Sequence, residues 1–147
     1  MLLSEFWTSQ SLIKSLYTQC VESVCAKHDL TRMELDILLF LANNPQFDTA
    51  SDIIEKKRLT KSHVSTSIRS LEQRGFLSKS YTPSNHKTVH LSLCGAASEA
   101  VTDGQAAQQT FLCILIEGFS AEEHKEMQQF FSRMSSNIYT HLNKTNC

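Results

Sequence analysis

The sequence predicts a mainly α-helical chain that carries one small β-hairpin, and three observations predict it. Apolar residues recur at helical spacing through most of the chain. That period gives way once, between Phe76 and Leu93, to two short runs of alternating character. Start and stop signals for helices bracket the periodic segments on both sides of the hairpin.

The elements follow in order. Leu12, Leu16, Tyr17, Cys20, Val21 and Val24 form one stripe of a first helix. Thr31 and Glu34 form a T-x-x-E capping box, ahead of Leu35, Leu38, Leu39 and Ala42 at i, i+3, i+4 and i+7. Asn43, Asn44 and Pro45 stop that helix. Residues 49 to 58 read as a short helix with Thr49 as its N-cap and Ile53 and Ile54 pointing inward. Thr60 is the expected N-cap of the next helix, in which Val64, Ile68 and Leu71 recur at i, i+4 and i+7. Gly75 ends it, because glycine tolerates the left-handed conformation there. "FLSKSY" and "VHLSL" are strand-like runs separated by "TPSNHKT", which has turn chemistry. Gly95 opens a helical region reaching about Gly118. Ser120 and Glu123 make a second capping box before Met127, Phe130, Phe131, Met134 and Ile138.

A chain of 147 residues is long enough to bury a core without staples, and is expected to form a single domain over 1–147. Its 41% hydrophobic and 20% charged residues exclude a disordered chain. No signal peptide is evident, and the apolar run around Phe111 to Ile116 is too short to span a bilayer, so a cytoplasmic location is expected. The five cysteines, Cys20, Cys25, Cys94, Cys113 and Cys147, have no CxxC or zinc-finger spacing and read as reduced thiols, with Cys147 exposed at the chain end.

The net charge of −1 hides a sharp segregation. Lys56, Lys57, Arg58, Lys61, Arg69, Arg74, Lys79 and Lys87 lie between residues 56 and 87 with one acid, Glu72, while the rest of the chain is strongly acidic. Within this segment the helix after Thr60 spends its surface on Ser, Thr, His and Arg rather than on the better helix formers Glu and Lys. With Val64 set in the core, Ser62, Thr66, Arg69 and Gln73 point outward, flanked by His63 and Ser65. Residues 49 to 93 therefore read as a helix-turn-helix with a wing, whose second helix would meet base edges and phosphates in the major groove of DNA. Carboxylates are absent from the first half of that face, where they would repel phosphate. Three of the six histidines (His63, His86 and His90) fall in the basic segment or just beyond it, so lowering the pH towards 6 is expected to tighten DNA binding. The alternative is that His63 reads a base as neutral imidazole and His90 packs beside the sheet.

"LTRMELDILLFL", "LTKSHVSTSIRSLEQRGFL" and "PSNHKTVHLSLCG" together resemble the MarR family of bacterial winged helix-turn-helix regulators. The likeness spans nearly the whole chain, and the V-S-x-x-x-x-x-L-E-x-x-G-F-L pattern from Val64 to Leu77 is its most specific part. It implies a ligand-responsive repressor: a winged lobe over 31–94, flanked by dimerisation helices over 1–30 and 95–147, acting as a homodimer on a pseudopalindromic operator. The terminal stripes also need burial, either against a second copy or within a monomeric core. The implied DNA-binding residues are Ser62, His63, Ser65, Thr66 and Arg69 on the helix and Asn85, His86 and Lys87 on the wing. The family's wing commonly has an Asp-x-Arg turn where this chain reads Asn85, His86 and Lys87. A lysine lacks the planar fork that suits a narrow groove. Thr66 stands where many members have Arg, and Cys94 replaces the common Thr ahead of Gly95.

Partners beyond operator DNA would be a small aromatic or lipid-like effector, for which Trp7, His28, Met33 and Phe111 are lining candidates; the same residues would serve equally as core. No membrane partner, metal or cofactor is expected. Catalysis is excluded by the lack of a phosphate-binding glycine loop, an HExxH or a nucleophile elbow. The competing readings are a thiol- or metal-responsive sensor of the same fold and a non-DNA-binding interaction protein. Against the first, the position of the family's peroxide-sensing cysteine falls near Thr8, and the histidines are dispersed.

Overall fold

The computed structural model describes residues 2–144, and the chain forms two compact units, 1–111 and 112–147. Cys147 lies outside the described residues. The first unit holds α1 (Leu3–His28), α2 (Arg32–Asn43), α3 (Ala50–Lys57), α4 (Lys61–Gln73), β1 (Leu77–Thr82) and β2 (Asn85–Leu93). A 3-10 turn, Gly95–Ala97, leads into α5 (Ser98–Leu115), whose last residues enter the second unit with α6 (Ala121–Lys144).

Local chemistry sets the helix ends. Thr31 Oγ1 accepts from the Glu34 N–H at 3.1 Å, and Glu34 Oε2 accepts from the Thr31 N–H at 2.8 Å. This reciprocal capping lets Glu34 sit buried at the start of α2. Thr49 and Asp52 repeat the arrangement at α3. Thr60 occupies the N-cap position of α4, but its hydroxyl makes no capping bond. At the far end of α4, Gly75 takes φ +76°, its N–H donates to the Glu72 carbonyl at 3.0 Å, and the Phe76 N–H donates to Leu71 at 2.9 Å. That pair of bonds is the Schellman ending that glycine permits.

The core is centred on α2. Leu35, Ile37 and Leu38 pack with Val21 and Val24 of α1, Ile53 of α3, Val64, Ile68 and Leu71 of α4, and Leu77 and Leu91 of the hairpin. Each buried aliphatic side chain contributes about 1.5–3 kcal/mol, so α4 is held by its three inward residues and leaves its polar face free. The expected stripe of α1 divides: Val21 and Val24 are buried, whereas Leu12 is 65% exposed. α5 approaches α2 closely at Gly104, where a Cβ would stand 2.7 Å from Leu39 Cδ2.

The strands pair antiparallel from Leu77↔Leu93 to Thr82↔Asn85, with a register shift between Ser80 and Thr82. The connection is shorter than expected. β2 begins at Asn85 rather than Val89, leaving Pro83 and Ser84 as the turn. Asn85 explains this, since its Oδ1 accepts from the Lys87 N–H at 3.0 Å and its Nδ2 donates to Thr88 Oγ1 at 2.8 Å. A residue of turn character is thereby satisfied inside a strand. The base of the wing is anchored by the Leu91 N–H, which donates to the Asp48 carbonyl at 2.7 Å, and by a bridge from Thr49 to His90.

In the second unit Gly118 (φ +82°) makes the turn before α6, and Ser120 and Glu123 form the expected capping box. Phe130, Phe131, Met134 and Ile138 of α6 are all exposed. Among the described residues no helix is long and apolar enough to cross a membrane.

Candidate nucleic-acid interface

Burial of Val64, Ile68 and Leu71 orients α4, and the consequence is an outward face of Ser62, His63, Ser65, Thr66 and Arg69, every one exposed. Basic side chains precede it in sequence: Lys56 and Lys57 end α3, Arg58 forms the junction at φ +52°, and Lys61 begins α4. Asn85, His86 and Lys87 are exposed on the wing. The Asn85 bond to the Lys87 backbone fixes the strand from which the Lys87 side chain projects.

Lys79, Arg74 and the neighbouring His90 are engaged within the protein. Lys79 pairs with Glu72 at 2.9 Å, which neutralises the segment's one acid. Arg74 donates from Nη1 to the Asp29 carbonyl at 2.6 Å and from Nη2 to the His28 carbonyl at 2.9 Å. His90 places Nδ1 at 3.1 Å from the Asp48 carboxylate. His90 thus takes the alternative of packing beside the sheet, while His63 and His86 are exposed. His90 meets its carboxylate because the strand's base packs on the segment leading into α3.

The four candidate effector residues do not share one cavity. Trp7 is exposed and lies edge-on to Phe6 at 5.3 Å. Met33 packs against the core. His28 Nε2 stands 2.8 Å from Asp103 Oδ2. Phe111 alone of the four lines a cavity of about 450 Å³, with Ile13, Lys14, Tyr17, Thr18 and Arg32. Phe111 and Tyr17 meet edge-on at 5.2 Å, and the Arg32 guanidinium lies 4.5 Å over the Tyr17 ring. Arg32 Nε also donates to Asp36 at 3.1 Å, and its Nη1 donates to Thr18 Oγ1 at 3.1 Å. Burial pushes the Tyr17 hydroxyl and the Cys25 thiol above their ordinary values. Tyr17 lay within the recognised stripe, but no pattern in the sequence marked Arg32 as its neighbour.

The sequence also gave no sign of a cluster between α1 and α5. His28, Glu99 and Asp103 bring three ligand-type atoms within 4.8 Å of one another. Lys27 Nζ lies 2.9 Å from Glu99 and 2.8 Å from Asp103. These bonds push the lysine up to about 12, and they hold Asp103 below the usual carboxylate range with help from His28. The ammonium supplies the positive charge that a cation would bring.

α3, α4 and the hairpin make a winged helix-turn-helix, the fold of a class of transcriptional regulators. Residues 28–86 are similar to the MarR family of transcriptional regulators. An uncharacterized HTH-type transcriptional regulator of Bacillus subtilis, YdgJ, is 24% identical over 114 residues, covering 78% of this chain and 68% of its own. A MarR family regulator from Listeria monocytogenes complexed with 26mer DNA superposes with a TM-score of 0.77 at 14% identity, over 94% of this chain and 89% of that one. The S. aureus MepR–DNA complex gives 0.74 at 18% identity, over 93% of this chain and 96% of that one. At such identities the structural likeness establishes the fold.

Proposed function

We propose that this protein is a homodimeric, sequence-specific DNA-binding repressor, released from a pseudopalindromic operator by a small aromatic or lipid-like effector. The observation that carries DNA binding is the outward face of α4: exposed, free of carboxylates from Ser62 to Arg69, and composed of short donors and acceptors. Short side chains let the helix backbone approach the groove, and each can bond a base edge or phosphate. Asn85, His86 and Lys87 extend the contact through the wing. The two structural neighbours that carry DNA use the same fold.

The dimer is supported by apolar side chains left in solvent on α1 and α6, including Leu12, Trp7, Phe130, Phe131 and Ile138. Exposure of this extent on terminal helices marks an interaction surface, and a two-fold operator requires a two-fold protein. The cavity beside Tyr17 and Phe111 supports an effector with an apolar ring or chain. Selection of duplexes from a random-sequence pool by the purified protein tests the proposal. Enrichment of one pseudopalindrome and a sedimentation mass of two chains are expected. A monomer, or a pool that enriches nothing, would overturn it.

A further inference from the structure

Arg74 belongs by sequence to the basic segment, yet its guanidinium is engaged within the protein. Its two Nη groups donate to the carbonyls of Asp29 and His28, at 2.6 and 2.9 Å. Its Cζ lies 4.8 Å over the Phe76 ring, and Nη1 is 3.8 Å from the buried Glu34 carboxylate. We propose that Arg74 is a positioning residue for DNA recognition, which ties the end of α4 to the turn after α1 and, through that turn, to α5. This rests on the DNA-binding reading above.

The chemistry explains why arginine suits the task. The last carbonyls of α1 have no partner within the helix. A planar guanidinium can serve two of them at once, whereas a lysine reaches one as a point charge. The same turn is held from its other side by side chains. His28 Nε2 stands 2.8 Å from Asp103 Oδ2, and Lys27 Nζ meets Asp103 at 2.8 Å and Glu99 at 2.9 Å. Lys27 and His28 therefore give their side chains to α5, while His28 and Asp29 give their carbonyls to Arg74 at the end of α4.

The geometry makes such a tie consequential. Ser62 lies about 18 Å along the helix axis from Arg74 at 1.5 Å per residue. A tilt of about 5° at the Arg74 end would move Ser62 by about 1.5 Å, which breaks hydrogen bonds that tolerate only a few tenths of an ångström. Long basic side chains on phosphate follow such a movement far better than short ones on base edges.

The test uses the full chain with Arg74→Ala, Arg74→Lys, Asp103→Asn and the Arg74→Ala/Asp103→Asn double variant. The probes are the duplex that the wild type enriches from a random pool and a scrambled duplex of equal composition. Affinities are measured at several salt concentrations, with melting temperatures alongside. Arg74→Ala should lose about tenfold on the enriched duplex and little on the scrambled one. Its salt slope should be unchanged, and Arg74→Lys should lose less. Asp103→Asn should weaken the enriched duplex in the same direction, and the double variant should lose no more than Arg74→Ala alone. If Arg74→Ala does not fold, Arg74→Lys and Asp103→Asn must still show the selective loss, or the proposal fails. Equal loss on both duplexes with the salt slope lowered by about one would make Arg74 a phosphate contact and overturn it. A lower melting temperature with unchanged affinities, or additive losses in the double variant, would overturn it as well. A wild type that enriches no duplex removes the DNA-binding reading and this proposal together.

Discussion

Asp29 and Arg74 stand 45 residues apart in the chain, and Arg74 Nη1 donates to the Asp29 carbonyl at 2.6 Å. Asp29 itself holds φ +51°, the left-handed turn that ends α1, with the Leu30 N–H donating to Cys25 at 2.9 Å. One backbone turn is thus shaped by its own helix ending and pinned by the end of another.

That conformation is costly for a residue with a Cβ, and glycine relieves it while leaving the carbonyl for Arg74. Asp29→Gly is expected to stabilise the fold by about 0.5–1 kcal/mol, the left-handed strain removed exceeding the unfolded-state entropy added. Urea denaturation measures the change. A loss of stability would show that the Asp29 side chain contributes more than its conformation costs.

Gly104→Ala should act in the opposite sense. The added methyl gains about 1 kcal/mol of helix propensity, but forcing it against a neighbour in a packed core costs about 1–3 kcal/mol. Its Cβ would stand 2.7 Å from Leu39, which is buried and has little room to withdraw. A net loss of about 1 kcal/mol is expected, and a denaturation midpoint equal to wild type would count against close packing of α5 on α2.

Recognition and wing residues should separate by the DNA they affect. Lys87→Ala should weaken cognate and scrambled duplexes alike and lower the salt slope by about one. Thr66→Ala and His63→Ala should lose more on the cognate duplex, about 1–3 kcal/mol where a base contact is removed. Equal losses on both duplexes would place these two residues on phosphate instead.

The Lys27–Asp103 pair predicts a pH dependence of stability. Asp103 is held below the ordinary carboxylate range, chiefly by the Lys27 bond and then by His28, so it binds its proton later in the folded chain than in the unfolded one. Its contribution is complete above the ordinary carboxylate value and fades as pH falls through the lower folded value. Lys27 is raised from 10.5 to about 12, so its part is lost only as pH rises through that alkaline window. The stability difference between wild type and Asp103→Asn should accordingly be flat through neutral pH and shrink in acid. A difference that persists unchanged in strong acid would mean that the carboxylate charge is irrelevant.

The sequence by itself determined the elements and the face. Reciprocal caps at Thr31–Glu34, Thr49–Asp52 and Ser120–Glu123, the stop at Gly75, and the spacing of Val64, Ile68 and Leu71 act over one to three helical turns, so neighbours in sequence suffice to specify them. The exposed Ser62, His63, Ser65, Thr66 and Arg69 followed from that spacing. Tertiary structure decided which charged groups remain available. Arg74 meets Asp29, His90 meets Asp48 and His28 meets Asp103 across 45, 42 and 75 residues. Each long side chain could satisfy its hydrogen bonds in water or on many partners. Only the packing of α1, α2, α4, α5 and the hairpin around one core sets which carbonyl or carboxylate lies within reach.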